Sequence, residues 1–362
     1  IYDAVNPPTS AQRRLYQFVA RVLAEAPGLQ IVLTGGNHDS ASRLELPRHL
    51  LDSERVVIMG AVPRRDRRPD PTGLVVPLRH RTGTVGAYCV AVPYLRPGDL
   101  PDAETHETPL ECLHRQAVAA ADAQRGHLPL VVTGHLHVIG GDVSELSERR
   151  VVIGGEEVVP ASIYPAHAAY VALGHLHRPQ RISGPTEIRY AGSPFPLSVT
   201  ERDYRHGAVV VDIHGERPAG IALLEAPRLV DFLRIPRAGC APLAEIEAEL
   251  LALRLEDLGR DRHAFLEVVV RMDGPEPDLR RRIEQAVNGK PVRLVRVARE
   301  LASGPAAPLP FSADLAEMAE LEVFHRLYHQ AHPGMEPADD LTRAFRQLLA
   351  EVQAPADEGT AA

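Results

Sequence analysis

Apolar positions along the chain follow two periods, and the places where the period changes mark its elements. Between Pro7-Pro8-Thr9-Ser10 and Ala26-Pro27-Gly28, residues Leu15, Phe18, Val19, Val22 and Leu23 recur at helical spacing. This predicts a helix bounded by proline and glycine. Short continuous or alternating apolar runs then predict strands at 31–34, 56–59, 87–92, 130–133, 151–153, 170–173, 188–191, 208–213 and 221–224. Helical pattern is sparse after residue 125. Two mixed sheets packed on each other suit this part better than a doubly wound parallel sheet.

The pattern changes at about residue 228. A strand at 229–235 precedes a helix whose Leu243, Ile246, Leu250 and Leu253 form one stripe. A strand at 265–272, a helix at 278–287 and a strand at 292–297 complete a small βαβαβ unit over 228–300. Residues 301–313, which include Ser303-Gly304-Pro305-Ala306-Ala307-Pro308-Leu309-Pro310, read as a linker. Two amphipathic helices follow within 314–353, broken at Pro333-Gly334, and 354–362 reads as a disordered tail. The expected class is therefore α/β (α+β): a two-sheet sandwich over 1–227, a small cap and a C-terminal helical pair.

Composition narrows the functional classes. With 44% hydrophobic and 24% charged residues, the 362-residue chain fits a soluble protein with a real core and appendages. No apolar window is long enough for a membrane span. Cys89, Cys112 and Cys240 lack CxxC spacing and read as buried free thiols of a reducing compartment. A net charge of −8 argues against holding nucleic acid through the overall field. A nuclease remains compatible, because divalent ions and a basic partner can supply positive charge. Lys290 is the only lysine, and the one dense basic run, Arg64-Arg65-Asp66-Arg67-Arg68, reads as a solvated loop, with phosphate contact as its alternative.

Three predicted strands end in turns that carry histidine: Gly36-Asn37-His38-Asp39, Gly134-His135 and Gly174-His175-Leu176-His177. A lone Gly-His turn is ordinarily a solvated or capping histidine. Three in series, each closing a strand, point to a dinuclear metal site fed with N and O ligands from strand ends. The candidate ligands are Asn37, His135, His175 and His177. Alternation along an extended segment would put His175 and His177 on one side. His38 is placed to protonate a leaving oxygen, with Asp39 to orient it. His137 copies the spacing of His177 but reads as a residue behind the ligands or at the surface. His80, His114, His206 and His329 have no motif context and default to the surface.

The order Asn-His-Asp, Gly-His, Gly-His-x-His resembles the calcineurin-like metallophosphoesterases. More closely it is similar to the SbcD family, the nuclease components of the bacterial SbcCD exonuclease, with their archaeal and eukaryotic counterparts. Tyr2-Asp3 before Asn6-Pro7-Pro8, and Ala191-Gly192-Ser193-Pro194 after the last histidines, carry the closer resemblance, which extends over essentially the whole chain. It implies two-metal hydrolysis of DNA, with two divalent ions, Mn²⁺ by preference. His177 would belong to one ion, and Asn37, His135 and His175 to the other. It also implies a double-strand exonuclease and single-strand endonuclease serving recombination, repair and replication in the nucleoid-associated cytoplasm. The partner would be a coiled-coil ATPase of SbcC type, in a heterotetramer built on a homodimer of this chain. Leu321, Phe324, Leu327, Phe345 and Leu348 of the terminal helices would dock it, or else pack on their own chain. By the same resemblance the family's bridging aspartate would fall just before Ile1 and its Asp-x-His pair well before that, so residues 1–362 alone are expected to be inactive. A stand-alone phosphodiesterase and a non-catalytic scaffold for DNA ends or the ATPase are the alternative functions.

Overall fold

The computed structural model of the protein describes residues 1–301 except 52–53, 103–106, 145–157, 273 and 275, and beyond these 321, 324–325, 328–329, 332, 336–338 and 341–346. The strand expected at 151–153, Leu327, Leu348 and the C-terminal tail lie outside the described residues, as does the linker from 302.

Helix α1 (Thr9–Glu25) covers one face of a parallel pair, β1 (Ile31–Thr34) and β2 (Val56–Met59). Alternation divides the side chains of that pair. Val56, Ile58, Ile31 and Leu33 pack with Val19 under the helix, while Val32, Val57 and Met59 face a second sheet. That sheet is built from β3 (Val75–Arg79), β4 (Val85–Ala91), β5 (Leu130–His135), β6 (Tyr170–Gly174), β7 (Gln180–Ile182) and β8 (Ile188–Tyr190), in the order β3-β4-β5-β6-β8-β7. Strands β4, β5, β6 and β8 are parallel, and both edge strands are antiparallel. Such a sheet needs cover on both faces. Val76, Cys89, Ala91 and Val131 meet the smaller sheet. Val90, Leu130 and Val132 meet Leu113, Ala117 and Ala121 of α2 (Pro109–Arg125). The result is a two-sheet sandwich with a helix on each outer face. The carboxyl ends of β1, β5 and β6 lie together at one edge.

Helix α2 had no counterpart in the sequence reading. Its start is nevertheless written locally: Thr108 and Glu111 form a reciprocal capping box around Pro109. Alanines on its buried face blur the apolar period. The basic run is a tight hairpin rather than a loop. Arg64–Arg65 pairs with Arg68–Pro69 across Asp66 and Arg67, whose φ angles are 50° and 67°.

After an antiparallel hairpin, β9 (Gly207–His214) and β10 (Arg217–Glu225), the chain forms the βαβαβ unit: β11 (Phe232–Ile235), α3 (Leu243–Ala252), β12 (Ala264–Met272), α4 (Leu279–Ala286) and β13 (Val292–Leu301). Strand β12 is central and parallel to β11 and β13. Ile246, Leu250, Leu266, Val268, Leu279 and Ile283 fill the core under both helices. On the opposite face buried Glu267 binds Arg234 of β11 at 3.2 Å and Arg296 of β13 at 2.6 Å. This charge-assisted bridge across three strands opposes register slip. Beyond it, residues 321, 324–325, 328–329 and 341–346 are helical. The rings of Phe324 and Phe345 stack at 4.4 Å. Among the described residues no helix is long and apolar enough to cross a membrane.

His114, assigned to the surface from sequence, is 1% exposed on α2, edge-on to Tyr164, and neither ring nitrogen has a hydrogen-bond partner. Burial pushes its pKa down to about 4. A histidine held neutral in the fold and free to protonate when unfolded stabilises the fold above its ordinary pKa. That stability is lost as pH falls toward the folded value. His114 alone should therefore cost about 2 kcal/mol of stability between pH 7 and pH 5. Urea melts at the two pH values should show that loss reduced by this amount in His114→Leu. An equal loss in both proteins would show that the ring titrates freely.

Candidate metal centre

The histidine motifs stand at the carboxyl ends of β1, in the two-stranded sheet, and of β5 and β6, in the interior of the six-stranded sheet. The turns after β1, β5 and β6, together with residues 192–197, line one open pocket of about 730 Å³. Asn37, His38, Asp39, His135, His175 and His177 all border it. Asn37 and His135 are 98 residues apart in sequence, yet Asn37 Oδ1 lies 3.1 Å from His135 Nε2. Two ligands held at about 2.1–2.2 Å from a common ion at right angles sit roughly 3 Å apart. The His175 ring stands 5.3 Å from that of His135. The donor set and its spacing fit a divalent cation.

His135 is packed from two sides by backbone that has no room for a side chain. A Cβ on Gly36 would lie 2.7 Å from its ring, and one on Gly174 would lie 3.0 Å from its Nδ1. These glycines of two motifs thus serve the histidine of the third. Burial, then the charges of its neighbours led by His175, push the His135 pKa down to about 3. The ring is neutral at any ordinary pH, which a metal ligand requires.

His175 does not continue the extended strand. Its φ is 102°, in the left-handed region that L residues avoid. The alternation argument for His175 and His177 therefore fails; a backbone reversal brings both into the pocket instead. Strain at a single residue of this kind costs on the order of 1–3 kcal/mol and is retained where the surrounding structure holds it.

His38 Nδ1 lies 2.9 Å from the Asp3 carbonyl, to which it donates, so Nε2 is the nitrogen left for a substrate. Asp39, read from sequence as the residue that orients His38, acts through the backbone around it. Asp39 is buried, and its carboxylate accepts from the nitrogens of Gly36 at 2.7 Å, Tyr2 at 2.8 Å and Ile1 at 3.0 Å. It ties the first residues to the Asn37-His38 turn and so sets where His38 stands. His137 sits behind His175, with ring centroids 6.4 Å apart, and its Nε2 meets the Gly141 carbonyl at 3.3 Å.

Two residues behind the site, Glu201 and His206, escaped the sequence reading. Glu201, fully buried in the short turn Val199–Glu201, places Oε1 2.8 Å from His177 Nδ1. Its Oε2 accepts from the Leu197 backbone at 2.9 Å and Ser193 Oγ at 3.1 Å. His206, assigned to the surface from sequence, is buried. Its ring nitrogens lie 3.0 Å from the Ser193 carbonyl and 2.9 Å from the Glu201 carbonyl. The Gly192-Ser193-Pro194 motif was the only local signal; nothing near Glu201 or His206 marks them.

Known proteins resemble this chain in sequence. A family model described as the type 5 capsule protein repressor C-terminal domain matches residues 228–332. Over 322 residues, 86% of the chain and 78% of its relative, the sequence is 40% identical to SbcD of the SbcCD nuclease of Rhodobacter capsulatus. The chain belongs to the SbcD family of SbcCD nucleases. Within that family it is also 28% identical to the Escherichia coli K12 protein over 343 residues, 90% of the chain and 80% of that protein. A shorter match, 38% over 96 residues, links it to the DNA double-strand break repair protein Mre11 of Aeropyrum pernix, covering 26% of the chain and 20% of that protein.

Proposed function

We propose that this SbcD-family chain supplies the pocket, bordered by Asn37, His38, His135, His175 and His177, at which the protein expressed from its complete reading frame hydrolyses DNA phosphodiesters. That protein does so as an exonuclease on double strands and an endonuclease on single strands. The observation that carries this reading is the convergence of those five side chains from three strand ends, beside the Asn37–His135 contact of 3.1 Å. Asn37, His135 and His175 would hold one divalent ion and His177 would contribute to a second, with Mn²⁺ the preferred metal. When bound, the ions supply an activated water and charge stabilisation for the phosphate. The chain's own residues do the rest. Neutral His135 offers a lone pair, Asp39 fixes the turn, and His38 Nε2 delivers a proton to the leaving oxygen while the Asp3 carbonyl steadies its other nitrogen.

The working assembly in this reading is a heterotetramer with a coiled-coil ATPase of SbcC type, in the cytoplasm and at the nucleoid. The relatives' designation as one component of a two-part nuclease supports a partner. The βαβαβ unit and the helices beyond it exceed what a small-substrate phosphodiesterase needs. The test is digestion of linear duplex DNA by the protein expressed from its complete reading frame together with the ATPase. Cleavage should require Mn²⁺ or a similar ion, stop on chelation and return on adding metal back. Metal-independent cleavage, or none by the intact complex, would overturn the proposal.

A further inference from the structure

We propose that Glu201 is a positioning residue that fixes the tautomer of His177, holding the ring proton on Nδ1 so that Nε2 presents its lone pair to the pocket. This deepens the metal-site reading above and rests on it for the consequence, though not for the tautomer itself. A carboxylate can only accept, so the 2.8 Å contact between Glu201 Oε1 and His177 Nδ1 requires a proton on that nitrogen. Imidazole ligands depend on such a partner for ring orientation and basicity.

The carboxylate is itself held in place. Glu201 has 0% exposure, and its second oxygen accepts from the Leu197 backbone at 2.9 Å and Ser193 Oγ at 3.1 Å. The backbone on either side is locked as well. The Ser193 N–H donates to the His177 carbonyl at 3.0 Å. The His206 ring spans the carbonyls of Ser193 and Glu201 at 3.0 Å and 2.9 Å. Turn 192–194, turn 199–201 and the His177 segment therefore form one braced unit, with a single acidic group aimed at the ligand.

Glutamine at 201 would keep the shape and reverse the chemistry. Its oxygen is claimed by the Leu197 N–H and the Ser193 hydroxyl, which leaves the amide NH₂ to face His177 Nδ1. That nitrogen must then accept, and the proton moves to Nε2, where a lone pair is needed. We therefore expect long-range ¹⁵N–¹H spectra of the metal-free protein to show His177 protonated on Nδ1 in wild type and on Nε2 in Glu201→Gln. Ser193→Ala keeps the carboxylate and should keep the wild-type tautomer. Mn²⁺ affinity should fall about 10–100-fold in Glu201→Gln, with near-ultraviolet circular dichroism unchanged.

The wild-type spectrum alone is decisive if the variant misfolds, since a proton on Nε2 would overturn the assignment. A Glu201→Gln protein with the wild-type tautomer, or with wild-type Mn²⁺ affinity, would overturn it too. The ligand reading fails separately: unchanged Mn²⁺ affinity in His177→Ala would remove the consequence for metal binding, whatever the tautomer.

Discussion

In the protein expressed from its complete reading frame, alanine at His38 is expected to leave metal occupancy near that of the wild type while turnover falls by about 10²–10⁴-fold, the usual effect of removing a general acid. The geometry separates the two roles. His38 is held through Nδ1 by the Asp3 carbonyl at the pocket's rim, whereas Asn37 and His135 point their ligand atoms at each other at 3.1 Å. His175→Ala should instead lower occupancy itself, and turnover only as a result. The His175 backbone sits at φ 102°, so glycine there should bind metal no better than alanine yet fold more stably, by about 1 kcal/mol. Metal analysis after gel filtration, DNA turnover at saturating Mn²⁺ and urea melts would read the three effects. If His38→Ala lost metal and His175→Ala kept it, the division between acid and ligand would be reversed.

Removing the chain from residue 314 onward should abolish stable association with the ATPase while leaving the sandwich and the βαβαβ unit folded. Each terminal helix carries an apolar stripe in sequence, and an isolated short helical pair is marginal in water. Phe324 and Phe345 stack on each other at 4.4 Å, and both remain partly accessible. Their rings thus join the two helices and still leave apolar surface for a partner. Phe324→Asp should break the stack by placing a charge against the facing ring, and should lower ATPase recovery as strongly as the deletion does. Co-purification with the coiled-coil base of the ATPase is the measurement. Equal recovery of intact and truncated protein would mean that docking lies elsewhere.

What was legible in the sequence follows from how local its cause is. Strands β1, β2, β5 and β6 announce themselves as apolar runs, and each His-bearing turn follows its strand directly. The two packed sheets and the histidines that border the pocket could therefore be read in advance. The two edge strands β3 and β7 could not, because Pro77 in the first and the polar Gln180 and Arg181 in the second break their patterns. Helix α2 was hidden by a buried face partly made of alanine. The burial of His114 and His206 is decided by what packs over them, which no neighbour in sequence reports. Glu201 is the sharpest case. It lies 24 residues beyond His177 in a segment without periodicity, and only the folded backbone brings its carboxylate to the ring. His175 misled in a different way, because alternation presumes an extended chain and its positive φ breaks that premise.

The contact between Asn37 and His135 closes a loop of 98 residues, and this fixes when the site can exist during folding. Closure of so long a loop costs entropy that only the docked sheets can offset. The pocket is thus a late product of the folding reaction, absent from any early nucleus around a single hairpin or helix. An ion that needs both residues has little to grip in the unfolded chain and cannot template the fold. It binds the finished sandwich, raising stability by mass action and slowing unfolding while leaving the folding rate unchanged.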